Sequence, residues 1–520
     1  MQIVDNRALL IRTKNPDKIT AYIQKSKIVA TPAEGVYDVL VHFNMVNARI
    51  LKNLGFKKTP APIEVNYEWP GMYKPFDHQR VTSAFLTMHQ RGFCFNEQGT
   101  GKTCSVAWAA DYLLTKKMIK RVLIICPLSI MSTAWRADLF RTVMHRSVDI
   151  AHGSKEKRIK VIESDAEFVI INPDGVLSVR DALSRGGFDL IVVDEATCLK
   201  NPATQRWKAI NSIIPHNGWL WLLTGTPAAQ SPVDAYGLAK ILNPKSVPSY
   251  AGAFKDKVMT KVSQFKYVAK PTAQATVHQV LQPAIRFTKE ECMDLPEILY
   301  ADRETPLTPQ QRKYYEILKK EMLVEASGEE VTAVNAAIKL NKLLQISSGA
   351  VYTDTGDVLE FDCSTKLAEM LAVVNESSHK TLVFCNFRHS IPLVQEYLAK
   401  HDITSEAIHG GVSAHARAEI FTSFQNEPKI QVLVIQPAAA AHGVTLHAAN
   451  SIVWFGPVTS AEIYLQANAR VHRAGQKNPC TVVHLISSQV ESKLYRALQD
   501  RTLAQGSLLE LYKQELGDNK

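Results

Sequence analysis

No stretch of this 520-residue chain approaches the roughly 18–20 consecutive apolar residues that a membrane-spanning helix needs. Its start, Met1-Gln2-Ile3-Val4-Asp5-Asn6-Arg7, lacks the charged-then-apolar layout of a secretory signal. The eight cysteines (94, 104, 126, 198, 292, 363, 385 and 480) are scattered, with no C-x-x-C pair. That argues against a zinc site or a disulfide framework and fits a reducing compartment, cytoplasmic or nuclear. Charge is in no great excess of either sign, with 60 Lys and Arg against 50 Asp and Glu. Apolar content of 46% and charged content of 21% are those of an ordinary globular protein, and the length calls for at least two large domains.

What surplus of charge there is lies unevenly. Residues 1–75 hold 11 Lys and Arg against 6 Asp and Glu, and residues 245–270 hold six lysines against one aspartate. Clusters of this kind suit contact with a phosphate backbone, where affinity comes from counterion release. Solvated lysines that merely keep the protein soluble explain each cluster equally well. Lys245, Lys255, Lys257 and Lys261 are the nucleic-acid candidates in the second cluster.

The most informative stretch is Phe93-Cys94-Phe95-Asn96-Glu97-Gln98-Gly99-Thr100-Gly101-Lys102-Thr103. A short apolar run, read as a strand, leads into two glycines, then Lys-Thr, then a helical pattern from Cys104 to Leu114. Phosphate oxygens need backbone N–H groups pointed inward, and glycine lets the chain approach without a Cβ in the way. The following helix offers its free N-terminal amides to the same anion. Gly99, Thr100, Gly101, Lys102 and Thr103 are therefore assigned to a nucleotide-phosphate loop. Lys102 reaches the β/γ-phosphates, and the Thr103 hydroxyl is a ligand for Mg²⁺. Asn96 stands where a Gly or Ala is usual. Some twenty residues earlier, Gln79 can both donate to and accept from an adenine edge.

Beyond the loop, the continuous apolar runs Val122–Cys126, Phe168–Ile171, Leu190–Val193 and Leu220–Leu223 alternate with helical patterns, as in a parallel sheet buried on both faces. Sites in such folds lie at the carboxyl ends of strands. One run ends in Asp194-Glu195, where Asp194 suits Mg²⁺ and Glu195 suits orientation and deprotonation of an attacking water. Another ends in Thr224-Gly225-Thr226, a small polar turn suited to relaying nucleotide state. A second α/β domain begins near Lys366, with strands at Thr381–Phe387, Glu406–Ile408, Gln431–Ile435, Ser451–Phe455 and Thr481–Ile486. It has no phosphate loop but carries Gln466-Ala467-Asn468-Ala469-Arg470-Val471-His472-Arg473-Ala474-Gly475-Gln476. Arg470 and Arg473, three apart, are expected on one helix face, where two guanidiniums suit a γ-phosphate that gains charge during transfer.

Taken in order, Gln79, Asn96–Thr103, Ile125-Cys126-Pro127-Leu128-Ser129, Asp194–Thr197, Leu223–Pro227 and the Arg-x-His-Arg-x-Gly-Gln ending resemble the motifs of Swi/Snf-type DNA-dependent ATPases of helicase superfamily two. The resemblance spans about residues 75–500. It implies two RecA-like parallel-sheet lobes with helical insertions and ATP bound in the cleft between them. It adds Gln466 to the catalytic set, Gly443 to the coupling set, and His409 and Thr445 to the nucleic-acid contacts. Thr197 replaces the family's usual His, and Gly443-Val444-Thr445-Leu446 departs from its Gly-Leu-Asn-Leu.

The expected layout is an α/β accessory domain over 1–70, lobe one over 71–243, and a helical protrusion and linker region over 244–360. Lobe two follows over 361–488, with a C-terminal brace helix and tail over 489–520. The implied function is an ATP- and Mg²⁺-dependent translocase on duplex DNA, with RNA a lesser candidate and no membrane partner. The alternatives are a strand-separating helicase and a nucleotide-gated DNA-binding module with little turnover. A compact bacterial or phage-type relative, located in the cytoplasm, is expected.

Overall fold

The computed structural model describes all residues except 229–230, 263–266, 293–294, 329–332, 353–356, 441–444, 474 and 501–520. The chain forms two compact units. The first comprises Met1–Gly225, Gly237–Ser246 and Leu281–Thr288, and the second Thr226–Tyr236, Val247–Val280 and Lys289–Lys520.

A seven-stranded, all-parallel sheet centres the first unit. Its strands run in the order Ala284–Ile285, Arg91–Cys94, Trp219–Leu223, Leu190–Asp194, Val122–Ile125, Phe168–Ile171, Val148–Ile150. The continuous apolar runs supply its middle and are buried on both faces, as sheets covered by helices require. Two edge strands have no sequence signature. Ala284–Ile285 is only two residues long, yet its neighbourhood continues alongside the phosphate-loop strand. Phe93, Phe95 and Glu97 donate their amides to the carbonyls of Pro283, Ile285 and Phe287 at 2.9, 2.8 and 2.9 Å.

Residues 1–42 form a four-stranded antiparallel sheet, followed by the helix Met45–Asn53, whose Asn44 cap accepts from the Asn47 amide. The stretches Pro60-Ala61-Pro62 and Trp69-Pro70-Gly71 read as a linker from their prolines and glycine, yet the chain there is packed. Ala61 and Ile63 are buried, Trp69 meets Trp108 edge-on at 5.7 Å, and Trp108 Nε1 donates to the Pro70 carbonyl at 3.0 Å. Tyr67 donates to the buried Asp111 carboxylate (2.6 Å), which also receives His145 Nε2 and Arg146 Nε. One hydrophobic cluster runs from Leu9 to Leu223, so the expected boundary at residue 70 falls inside a single unit. Proline shapes the backbone there, while Tyr67 and Trp69 bury enough surface to hold it down.

The second unit is built on a six-stranded parallel sheet ordered Ile298–Glu304, Cys480–Ile486, Ala449–Trp454, Lys380–Phe384, Val432–Ile435, Ser405–Ile408. Its edge strand Ile298–Glu304 comes from the region expected to be helical protrusion. That region also forms the expected helices, Pro309–Gly328 and Ala333–Ser347. Lys366 and Glu491 make a fully buried ion pair at 2.9 Å, which Ser347 and the Ser487 amide complete. The C-terminal helix is observed over Gln489–Gln499 with Asp500 as its cap, and residues 501–520 lie outside the described residues.

Candidate nucleotide-phosphate site

The loop after Arg91–Cys94 turns on two glycines with left-handed backbone, Gly99 (φ 88°) and Gly101 (φ 76°). Gly101 caps the helix Lys102–Thr115. A Cβ there would lie 2.1 Å from Gln79 Nε2, so any other residue would push Gln79 off the loop as well as strain the backbone. Gln79, expected to read a base edge, braces the loop itself. Its Nε2 donates to the Thr100 carbonyl at 3.2 Å and its Oε1 accepts the Phe76 amide at 3.0 Å. The same carbonyl lies 2.8 Å from His78 Nε2. The Thr100 hydroxyl donates to the Glu97 carbonyl. Lys102 folds its ammonium onto the carbonyls of Asn96 (2.8 Å) and Glu97 (3.2 Å), within the loop it belongs to. Thr103 lies half-buried in the helix's first turn.

Asn96, the irregular first position, is fully buried and bonded on both sides. Its Nδ2 donates to Thr82 Oγ1 (2.8 Å) and its Oδ1 accepts the Phe287 amide (3.1 Å). Gly or Ala could make neither bond.

The acids leave the sheet two strands away. Asp194 ends Leu190–Asp194 and accepts from Trp135 Nε1 (2.8 Å) and from the Glu195 amide (2.9 Å). Burial pushes its carboxyl above the ordinary value, opposed by the Lys102 ammonium and the two donors. Glu195 has left-handed backbone (φ 50°, ψ 54°), a conformation costing about 1–3 kcal/mol in a residue with a Cβ. Gln98 Nε2 reaches its Oε1 at 3.4 Å. The strand between loop and acids, Trp219–Leu223, ends in the Thr224-Gly225 turn. Thr224 donates its amide to the Cys94 carbonyl (3.1 Å), and a Cβ on Gly225 would sit 3.6 Å from Gln98. Lys102, Thr103, Asp194, Glu195, Thr224 and Gly225 thus gather at the carboxyl ends of three adjacent strands. Asn96, Gln98 and Trp135 belong with them. Asn96 and Gln98 lie in the loop motif and Trp135 in no motif, and the partners that place them, Phe287, Glu195 and Asp194, are distant in sequence.

In the second unit, the helix Ala461–Asn468 ends before the arginines, so Arg470 and Arg473 do not share a helix face. One local and one long-range bond hold Arg470 beyond the helix. Arg470 Nε donates to the Gln466 carbonyl (3.1 Å) and the Arg470 carbonyl accepts the Leu446 amide (2.9 Å). Gln466 itself is buried, its Nε2 on Glu462 at 3.3 Å. Gln476 holds the segment's end. It donates to the carbonyls of His447, Ala449 and Val471 and accepts the amides of Lys477 and Asn478. Arg473 is half-buried in the intervening bend and lowers the pKa of His447, a shift due first to burial.

The other assignments scatter. Thr226 begins the second unit, Thr445 is half-buried in a loop, and Gly443 lies outside the described residues. His409 follows an edge strand; its carbonyl accepts from Arg417 at 3.1 Å. Lys245 belongs to the first unit and Lys255, Lys257 and Lys261 to the second. Lys255 lies 3.3 Å over the Tyr267 ring, while Lys257 and Lys261 are exposed.

Residues 76–348 match the SNF2-related domain family, and residues 364–475 match the helicase conserved C-terminal domain. The chain is 26% identical over 451 residues to a chromodomain-helicase-DNA-binding protein 1-like from Danio rerio, covering 81% of this chain and 42% of that protein. The Mus musculus protein of the same name is 24% identical, with 86% and 52% covered, so the chain spans about half the length of these curated relatives. Putative protein p41 of Acyrthosiphon pisum secondary endosymbiont phage 1 is 24% identical over 469 residues, covering 83% of this chain and 98% of that protein. Among solved structures, the Sulfolobus solfataricus SWI2/SNF2 ATPase core in complex with dsDNA aligns at 22% identity with a TM-score of 0.43, covering 84% of this chain and 93% of that one.

Proposed function

This chain belongs to the SNF2-related domain family, and from that premise we propose that it is an ATP-dependent motor that couples hydrolysis to movement along duplex DNA. The observation that carries the reading is the gathering of phosphate loop, acids and polar turn at the ends of three neighbouring strands. Loop amides from Gly99 to Thr103 and the helix N-terminus hold the phosphates, and Lys102 exchanges its carbonyl contacts for phosphate oxygens. A hydroxyl at Thr103 and the Asp194 carboxylate, already held by two donors, make an oxygen-donor set that fits Mg²⁺, which would neutralise charge on the β- and γ-phosphates. Glu195, aimed by its strained backbone, orients and deprotonates the attacking water. Arg470 and Arg473 stabilise the charge that develops on the γ-phosphate. The Thr224-Gly225 turn, lying against the loop, is suited to pass on whether phosphate is present. Lys257 and Lys261 are the exposed candidates for the DNA backbone.

The test is the rate of ATP hydrolysis with no nucleic acid, duplex DNA, single-stranded DNA or RNA. Duplex DNA is expected to stimulate most. No stimulation by any of the three nucleic acids ends the motor reading, and a preference for RNA ends the duplex one.

A further inference from the structure

Near the carboxyl ends of the second unit's strands, one row of register partners crosses the sheet: Asp302 pairs with His484, and His484 with Trp454. Both inner members point a polar atom at the helix Ala461–Asn468. His484 Nε2 lies 2.8 Å from the Tyr464 hydroxyl, and Trp454 Nε1 donates to Asn468 Oδ1 at 3.0 Å. Tyr464 and Asn468 are four apart and share the sheet-facing side of that helix. All four side chains are at most 5% exposed. Asp302 Oδ1 lies 2.9 Å from His484 Nδ1. A carboxylate can only accept, so Nδ1 carries the proton, and Nε2 is left to accept from the Tyr464 hydroxyl. Tyr495 stacks on the imidazole at 4.1 Å and fixes its plane.

We propose that Asp302, His484 and Trp454 are positioning residues for the arginine segment: the cross-sheet row pins the helix at Tyr464 and Asn468, and thereby sets where Arg470 and Arg473 stand. The inference rests on the reading of those arginines given above. The link is short, because Arg470 is tied to the same helix through the Gln466 carbonyl, two residues after Tyr464. No substrate atom touches the row. Its effect is on the placement of charge during the reaction, so it should change turnover and leave ATP binding alone.

Removing the single hydroxyl in Tyr464→Phe keeps the packing. It is expected to lower kcat threefold to tenfold, about what one net hydrogen bond sustains, with KM for ATP within about twofold. Asp302→Ala should match it, because the histidine loses the acceptor that sets its tautomer. Asp302→Asn, which keeps an acceptor oxygen, should restore most of the rate. The double variant Tyr464→Phe/Asp302→Ala should be no slower than either single one, since both break one chain of bonds. Circular dichroism at the assay temperature separates these effects from loss of folded protein. Asp302 is half-exposed on an edge strand, so its variants carry the test if Tyr464→Phe fails to fold. Arg473→Ala is run in parallel. If it is inactive while Tyr464→Phe and Asp302→Ala turn over like the wild type, the row has no such role. Additive losses, or equal losses in Asp302→Asn and Asp302→Ala, also overturn it. Wild-type turnover by Arg473→Ala overturns the arginine reading and the row with it.

Discussion

In the first unit the reactive groups leave the sheet directly from strand ends, and backbone sets most of their geometry: two left-handed glycines, a left-handed Glu195, and loop carbonyls that hold Lys102, with Gln79, Asn96 and Trp135 bracing from outside. In the second unit the arginines follow a helix that has already stopped, and side-chain bonds from Arg470 and Gln476 hold the segment instead. Backbone-set geometry needs particular residue types at fixed spacing, so it leaves a motif that can be read. Side-chain-set geometry needs partners from elsewhere in the fold. In this protein they come from residues 446–449, and the helical spacing of Arg470 and Arg473 misleads.

The largest test of this comparison is turnover. Lys102→Ala in the first unit and Arg473→Ala in the second should each lower ATP hydrolysis by about 10³ or more, with DNA binding by gel shift largely intact. Glu195→Gln should behave like them. A small effect in one unit only would assign the chemistry to the other. Next come the buried charges that brace each unit. Lys366→Met leaves the buried Glu491 without its counter-charge and should cost about 3–5 kcal/mol in urea unfolding, whereas Asp111→Ala should cost less, because Arg146 keeps its pair with Glu167. The double change Lys366→Met/Glu491→Leu should recover most of the loss, because two apolar side chains replace two desolvated charges.

Acid is expected to act on both units in the same window. Burial lowers His89, which sits against Lys52, and His389 from 6.5 to about 4. Between those values the unfolded chain binds the proton and the folded one does not. Stability is therefore held above about pH 6.5 and lost as pH falls toward 4, by up to about 3 kcal/mol per histidine. Hydrogen exchange on peptides around each histidine reads this out, and His89→Gln should flatten the response in the first unit only. Smaller again is Asn96→Ala, which leaves the half-buried Phe287 amide without its acceptor and should cost about 1 kcal/mol. The smallest effect separates two glycines. Gly475→Ala, where the nearest atom to a Cβ is 3.6 Å away, should cost about 1 kcal/mol for its left-handed backbone and little activity. Gly101→Ala meets Gln79 and should weaken ATP binding in a fluorescent-nucleotide titration as well.

Much of the fold was legible. Strands such as Phe168–Ile171 and Leu190–Asp194 fall where continuous apolar runs predicted them, because burial on both faces leaves room for little else. The exposed alternation of Ile298–Glu304 and the two-residue strand Ala284–Ile285 were not legible, since only their parallel partners make them strands. Position alone picks out Gln79, whose described bonds brace the loop, and the departure from Gly or Ala at Asn96 marks a doubly bonded residue.

By itself the sequence determined the order of the motifs, the α/β alternation and the residue types at the phosphate loop and the acids. These follow from periodicity and from steric rules that act over a few residues. Only the tertiary structure decided that residues 60–71 are packed rather than free, that Trp135 holds Asp194, that the arginine helix stops at Asn468, and that Asp302, His484 and Trp454 form one row beneath that helix. Each of these is a bond or contact between residues far apart in the chain, and such a pairing has no energy until the fold has brought its members together.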